Sequence, residues 1–295
     1  MRYGPHQFLI APARGSEEPW RLLAGCALIV ALFLLMSLFY SRIIAVALPD
    51  SAWGANGRGV EDASTPWGAL ANLYIFGLVI LALWVVLTVL HTRTLSSLLG
   101  ASRPAWRQFR RVLVALALLT AAVLPLPAPE ALTPGPHLAL PTWLAFLPLA
   151  LLGLAIQTGT EEIVFRGYLQ SQLAARFRRP LVWMGLPSAL FAALHYAPGN
   201  MGDNAWLAVM WAFLFGLAAA DLTARSGTLG PAIALHIANN FSAILLAAPE
   251  GSFDGLALYT YPFALHDTAI MRTWAPIDMM MLLCSWLAAR LALRA

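Results

Sequence analysis

Glu161 and Glu162 stand side by side in an otherwise apolar stretch, with Arg166 four residues after the second. His195 follows Phe191 by four in another apolar run, and His236 and Asn240 are four apart in a third. On a helix that spacing puts two side chains on one face, so Glu162 and Arg166 can form an ion pair. Glu161 projects about 100° round the helix and has no such partner, which leaves its carboxylate free to act as a general base. An imidazole can polarise water or protonate a leaving amine, and a carboxamide can donate to an oxyanion. Two carboxylates, an arginine, two imidazoles and a carboxamide together make an inventory for hydrolysing an amide bond.

Three ordered strings carry these residues: Glu161-Glu162-Ile163-Val164-Phe165-Arg166, Phe191-Ala192-Ala193-Leu194-His195 and His236-Ile237-Ala238-Asn239-Asn240. They resemble the motifs EExxxR, FxxxH and HxxxN of the CPBP (CAAX protease and bacteriocin-processing) intramembrane proteases, a family that includes the Ras-converting CAAX endopeptidases. The resemblance covers about residues 142–248 and extends to Gly167-Tyr168-Leu169 and the turn from Gly227 to Pro231. It implies a proteolytic site facing the cytoplasmic side. Glu161 would activate water, His195 and His236 would hold it, and Asn240 would stabilise the oxyanion. Glu162 and Arg166 would support the site, and Phe191 would shape the pocket. The family is described both as metallo- and as glutamate-type. Glu161, His195 and His236 would make a zinc set with one open position. With no HExxH and no carboxylate identifiable behind either histidine, the metal-free glutamate reading is preferred and zinc is the alternative.

These residues must be positioned by membrane spans. The chain has 295 residues, 60% of them hydrophobic and 11% charged, against about a quarter charged in soluble domains. A soluble enzyme is excluded. Hydropathy marks eight spans at 22–41, 69–90, 111–127, 142–166, 181–197, 205–224, 229–248 and 274–293, each measured against a core of about 30 Å. The expected class is an all-α polytopic membrane protein. Its divisions are a cytoplasmic arm (1–21), the first three spans (22–141), a protease core (142–248) and an outer loop with the last span (249–295). Leu23-Ala24-Gly25-Cys26 matches a lipoprotein box as a string, but the apolar run follows Cys26 rather than preceding it, so this is read as an uncleaved first span. Cys26 and Cys284 give no disulfide framework or metal knuckle.

All 18 basic residues are arginine. With the N-terminus inside, Arg2, Arg14, Arg21, Arg93, Arg103, Arg107, Arg110, Arg111, Arg166, Arg176, Arg178, Arg179, Arg225, Arg290 and Arg294 fall on the inner side. Arg42, Arg58 and Arg272 fall outside, while acids collect in the outer loops. This obeys the positive-inside rule, places both termini inside, suggests a bacterial cytoplasmic membrane, and speaks for a lipid rather than a nucleic-acid partner. The substrate expected is a membrane-associated or lipidated peptide.

The site groups must also meet at one depth. With an inner boundary near Arg166 and a fifth span starting at Leu181, His195 would lie too deep, at about 21 Å by the helical rise. A start at Pro187, a favoured first position, predicts a short fifth span and an interfacial segment from Leu169 to Leu186. His6, His91, His137 and His266 are read as solvated, Asp221 and Arg225 as a surface pair, Asp278 as close to a span end, and Asn239 as packing glue. The rival functions are a proton-coupled transporter, since intramembrane Glu and His also build proton relays, and a catalytically silent relative acting as an immunity or scaffold protein.

Overall fold

The computed structural model describes residues 3–127, 129–251 and 253–294; Arg2 of the sidedness argument lies outside them. Helices in chain order are α1 (Pro19–Ala47), α2 (Pro66–His91), α3 (Ser102–Val123), α4 (Leu140–Arg176), α5 (Pro180–Ala193), α6 (Pro198–Ser226), α7 (Gly230–Leu246) and α8 (Thr268–Leu293). Among the described residues α1, α2, α4, α6 and α8 are long and apolar enough to cross a membrane, and α5 and α7 are shorter apolar helices. The chain is a polytopic all-α membrane protein, with one helix at each of the eight hydropathy peaks.

Local chemistry starts and stops these helices. Proline occupies the first turn of α1, α2, α5, α6 and α7, where its missing N–H costs no helical bond. The Thr65 hydroxyl caps α2 by accepting from the Gly68 amide, and the Asp267 carboxylate caps α8 by accepting from Ala269 and Ile270. Gly227 closes α6 at φ +71°, a left-handed conformation that favours glycine.

α7 is the central element, packed against α3, α4, α6 and α8. Its first turn approaches α3 so closely that a β-carbon on Gly230 would overlap the Ala105 carbonyl. At the opposite end of the bundle, β1 (Gly135–Pro136), β2 (Ala247–Pro249) and β3 (Tyr259–Tyr261) form a small sheet in the order β1-β3-β2, antiparallel then parallel. Hydropathy had not anticipated this sheet. The two ends are called below the arm end and the sheet end.

The fifth helix is short, at 14 residues, but it begins at Pro180 rather than Pro187, and Pro187 lies inside it. The reason is that the inner limit of α4 was set too early. Arg166 is buried and ion-paired, so it marks no boundary, and α4 continues to Arg176. Glu161 is then fifteen residues from the arm-end limit of α4, and His195 is fifteen from the start of α5. Both correspond to about 22 Å of helical rise, so the depths agree without an interfacial segment.

The N-terminal arm folds back as three short helical turns (Gly4–His6, Gln7–Ile10, Ala11–Ala13). His6 is not solvated: it is 1% exposed, against the Trp183 ring at 4.8 Å and within 3.4 Å of the Gln170 amide. His91 is also buried, between Tyr168 and Ser16, whereas His137 and His266 are exposed as expected. Asp221 and Arg225 form a buried junction rather than a surface pair. Asp221 accepts from Arg225, from the Tyr3 hydroxyl and from the Trp286 indole, and so ties the arm to α6 and α8. Hydropathy could not show these burials, because they depend on the arm folding back.

Burial lowers the His6 imidazole to about 4 from an ordinary 6.5. The undocked arm takes up a proton below pH 6.5 that the docked arm refuses until about pH 4. Docking is therefore at full strength above pH 6.5 and weakens as pH falls through that window, by about 2 kcal/mol at pH 5. Hydrogen exchange, corrected for intrinsic rate, should show residues 7–13 losing protection between pH 7 and pH 5 in wild type but not in His6→Phe. Equal pH dependence in both proteins would contradict the assignment.

Candidate active site

α4 and α7 bring the polar residues of two motifs into one hydrogen-bonded chain. The Glu161 carboxylate (Oε2) accepts from the Gln157 amide at 2.8 Å and faces Nε2 of His236 at 3.3 Å. Nδ1 of His236 lies 2.7 Å from Oε1 of Glu162, and Arg166 donates to the same oxygen at 3.1 Å. In the other direction, Asn240 donates to Gln157 at 2.9 Å, and Asn239 donates to Asn240 at 3.0 Å. His236 thus stands between two carboxylates, with Nε2 facing Glu161 and Nδ1 facing Glu162.

The degree of enclosure differs between members. Glu162 and Arg166 have side chains 0% and 2% exposed, while Glu161 keeps 14%. Phe191 holds the aromatic wall. Its ring centroid is 4.5 Å from that of His195, 6.1 Å from that of His236 and 4.8 Å from the Arg166 guanidinium carbon. Arg166 therefore offsets its burial partly through ring faces. Half-buried His195 follows the end of α5, with Nδ1 2.8 Å from the Phe191 carbonyl. That contact makes Nδ1 the donor and leaves Nε2 as the acceptor. Among the described residues no hydrogen bond joins His195 to the chain.

Two of the three motif helices change geometry beside their polar residues. α4 becomes π-helical over Ile163–Leu169 and α7 over Phe241–Leu246. Such turns insert a residue and redirect the faces beyond them, and they recur at functional sites.

Residues 139–242 match the family model described as type II CAAX prenyl endopeptidase Rce1-like. This segment is similar to Rce1-like domains, and it holds every residue of the hydrogen-bonded chain. The match supports a peptidase related to the CAAX-type intramembrane endopeptidases. The chain is also similar to the uncharacterized protein YyaK of Bacillus subtilis (strain 168), at 23% identity over 253 residues, covering 83% of this chain and 84% of the relative. No solved structure matches.

Two members of this cluster do not stand out in the sequence. Gln157 lies four residues before Glu161, a spacing that would have revealed it, but attention to ionisable groups passed over a neutral amide. Phe215, with its ring 4.7 Å from His236 and 5.9 Å from the Arg166 guanidinium carbon, looks in sequence like any apolar residue of α6. Asn239, read as packing glue, is joined to Asn240. The carboxylate behind His236, which could not be identified from sequence, is Glu162. Glu161, His195 and His236 would be the residues to hold a zinc ion. Among the described residues no three His, Cys, Asp or Glu side chains are grouped so as to hold a metal, and both His236 nitrogens face carboxylates.

Removing Arg166 leaves Glu162 buried without its cation, a change costing about 3–5 kcal/mol for buried pairs. Arg166→Met should lower the thermal midpoint of the detergent-solubilised protein by several degrees or prevent folding. Double substitution with Glu162→Gln should recover part of the loss. An unchanged midpoint in Arg166→Met would show that the pair carries no stabilising role.

Proposed function

We propose that this protein hydrolyses a peptide bond in a membrane-associated or lipidated peptide, by a glutamate mechanism. The observation that carries the reading is the setting of Glu161: a carboxylate 14% exposed, with one oxygen held between the Gln157 amide and His236. Glu161 takes a proton from water as the water attacks the carbonyl carbon. His195, oriented through Nδ1, offers Nε2 to align that water. Asn240 donates one N–H to Gln157 and has a second for the developing oxyanion. Collapse of the tetrahedral intermediate breaks the C–N bond. The leaving amine takes its proton from the Glu161–His236 pair, which returns the site to its starting state. Glu162 and Arg166 hold His236 in place, as carboxylates do for catalytic imidazoles elsewhere, and Phe191 shapes the wall.

The arginine distribution supports a bacterial cytoplasmic membrane with both termini, and the arm end, on the inner side. The substrate then enters from that side or laterally, and residues 142–248 act as the protease core.

Purified protein reconstituted in vesicles should cleave members of a lipidated or amphipathic peptide library. Glu161→Ala and His236→Ala should reduce turnover by about 10²–10⁴-fold. Equal turnover by wild type and both variants would sink the mechanism. Gln157→Leu removes a group that positions the base rather than reacting, so kcat should fall about 10–100-fold with KM little changed. A change in KM alone would assign Gln157 to substrate binding instead. Treatment with a metal chelator should leave the rate intact. Loss of activity restored by added zinc would replace the glutamate reading with the metallo-reading.

A further inference from the structure

A cavity of about 310 Å³ opens between α3, α7 and α8, in the half of the molecule nearer the sheet end. Its polar lining comes from Thr120, Asn239, Ser242, Asp278 and Ser285. Glu161, Glu162, His195 and His236 do not line it; Asn239, at the end of the hydrogen-bonded chain of the candidate active site, is shared between the two.

Asp278 was expected close to a span end, but α8 begins at Thr268, which puts Asp278 ten residues and about 15 Å along the helix. Among the described residues its carboxylate has no hydrogen-bond or ion-pair partner, and its electrostatic neighbour is the Tyr261 phenol. The hydroxyls of Thr120 and Ser285 also make no hydrogen bond among the described residues. Ser242 shows the usual alternative for a helical hydroxyl, donating back to Ala238 at 3.1 Å. One cavity thus collects a carboxylate and two hydroxyls with unused hydrogen-bonding capacity, walled by apolar side chains such as Leu116, Leu235 and Met281.

A carboxylate at membrane depth costs about 2.5–3.5 kcal/mol on insertion scales. A cation beside it in low dielectric gains attraction that water would screen. We propose that the cavity binds a single-chain amphiphile with a cationic head, a primary alkylammonium in the simplest case. The ammonium sits at Asp278 and donates to its carboxylate, and the alkyl chain runs along the cavity past the Ser285 position and the apolar walls. The volume is at the small end for ligand pockets and excludes a folded peptide. The depth of Asp278 favours a free amphiphile over the headgroup of a bilayer lipid, which would have to leave its interface.

The test is equilibrium binding of radiolabelled decylamine, protonated at pH 7, to the full chain in nanodiscs. Decanol and decyl sulfate serve as chain-matched controls. Wild type should bind decylammonium saturably, with decanol and decyl sulfate each at least about tenfold weaker, the weight of one charge-assisted hydrogen bond. Asp278→Asn should weaken the amine about tenfold and leave decanol unchanged. Ser285→Phe, which fills the cavity without touching the charge, should weaken both amine and alcohol, so the proposal stays testable if Asp278→Asn does not fold. Equal amine affinity in wild type and Asp278→Asn, undiminished binding in Ser285→Phe, or decanol matching the amine would overturn it.

Discussion

The arrangement depends on keeping four charged or chargeable groups together where water is scarce. Glu161, Glu162, Arg166 and His236 would each be costly alone in a membrane interior. Together they are held in mutual contact at 2.7–3.3 Å. The pairing requires α4 and α7 to meet at one height and in one rotation. That in turn requires the close approach of α7 to α3 at Gly230 and the aromatic wall of Phe191 and Phe215 behind the arginine. Much of the packing nearby can be read as what is needed to hold this group without solvent.

The same constraint separates support from reactivity. Glu162 and Arg166 are enclosed, and Glu162 Oε1 is shared between His236 and Arg166, which suits the pair to orient an imidazole. Glu162 Oε2 and one Arg166 nitrogen have no hydrogen-bond partner among the described residues. Glu161 retains some exposure and a single amide donor, which suits it to exchange a proton. Two adjacent carboxylates of identical chemistry thereby stand in different environments, the condition under which such pairs divide acid and base work. The π-helical turn that begins at Ile163 lies immediately after this pair, where the helix must pass from the site to the packing of Tyr168 against His91.

Legibility in the sequence followed how local each feature was. Eight hydropathy peaks became eight helices, because a span is specified by its own apolar length. The Glu162–Arg166 pair was legible because its spacing lies within one helix. Gln157 was equally local and would have been found by extending the same spacing backward. His6, His91, Asp221 and Arg225 were misread as solvated or superficial, since their burial comes from an arm folding back onto α4, α5 and α6. The start of α5 was misplaced because an arginine in the ion pair was taken as a boundary marker.

The sequence by itself determined the class of the molecule, the places of its eight main apolar helices and the polar residues that stand out within them. Each of these is a property of composition or of spacing along one element. Only the tertiary structure decided that His236 stands between two carboxylates, that Asn240 reaches Glu161 through Gln157, and that Asp278 faces a cavity. Those relations join helices separated by dozens of residues. They are set by how side chains of particular volume allow the helices to approach and rotate, and no periodicity within a single helix encodes that.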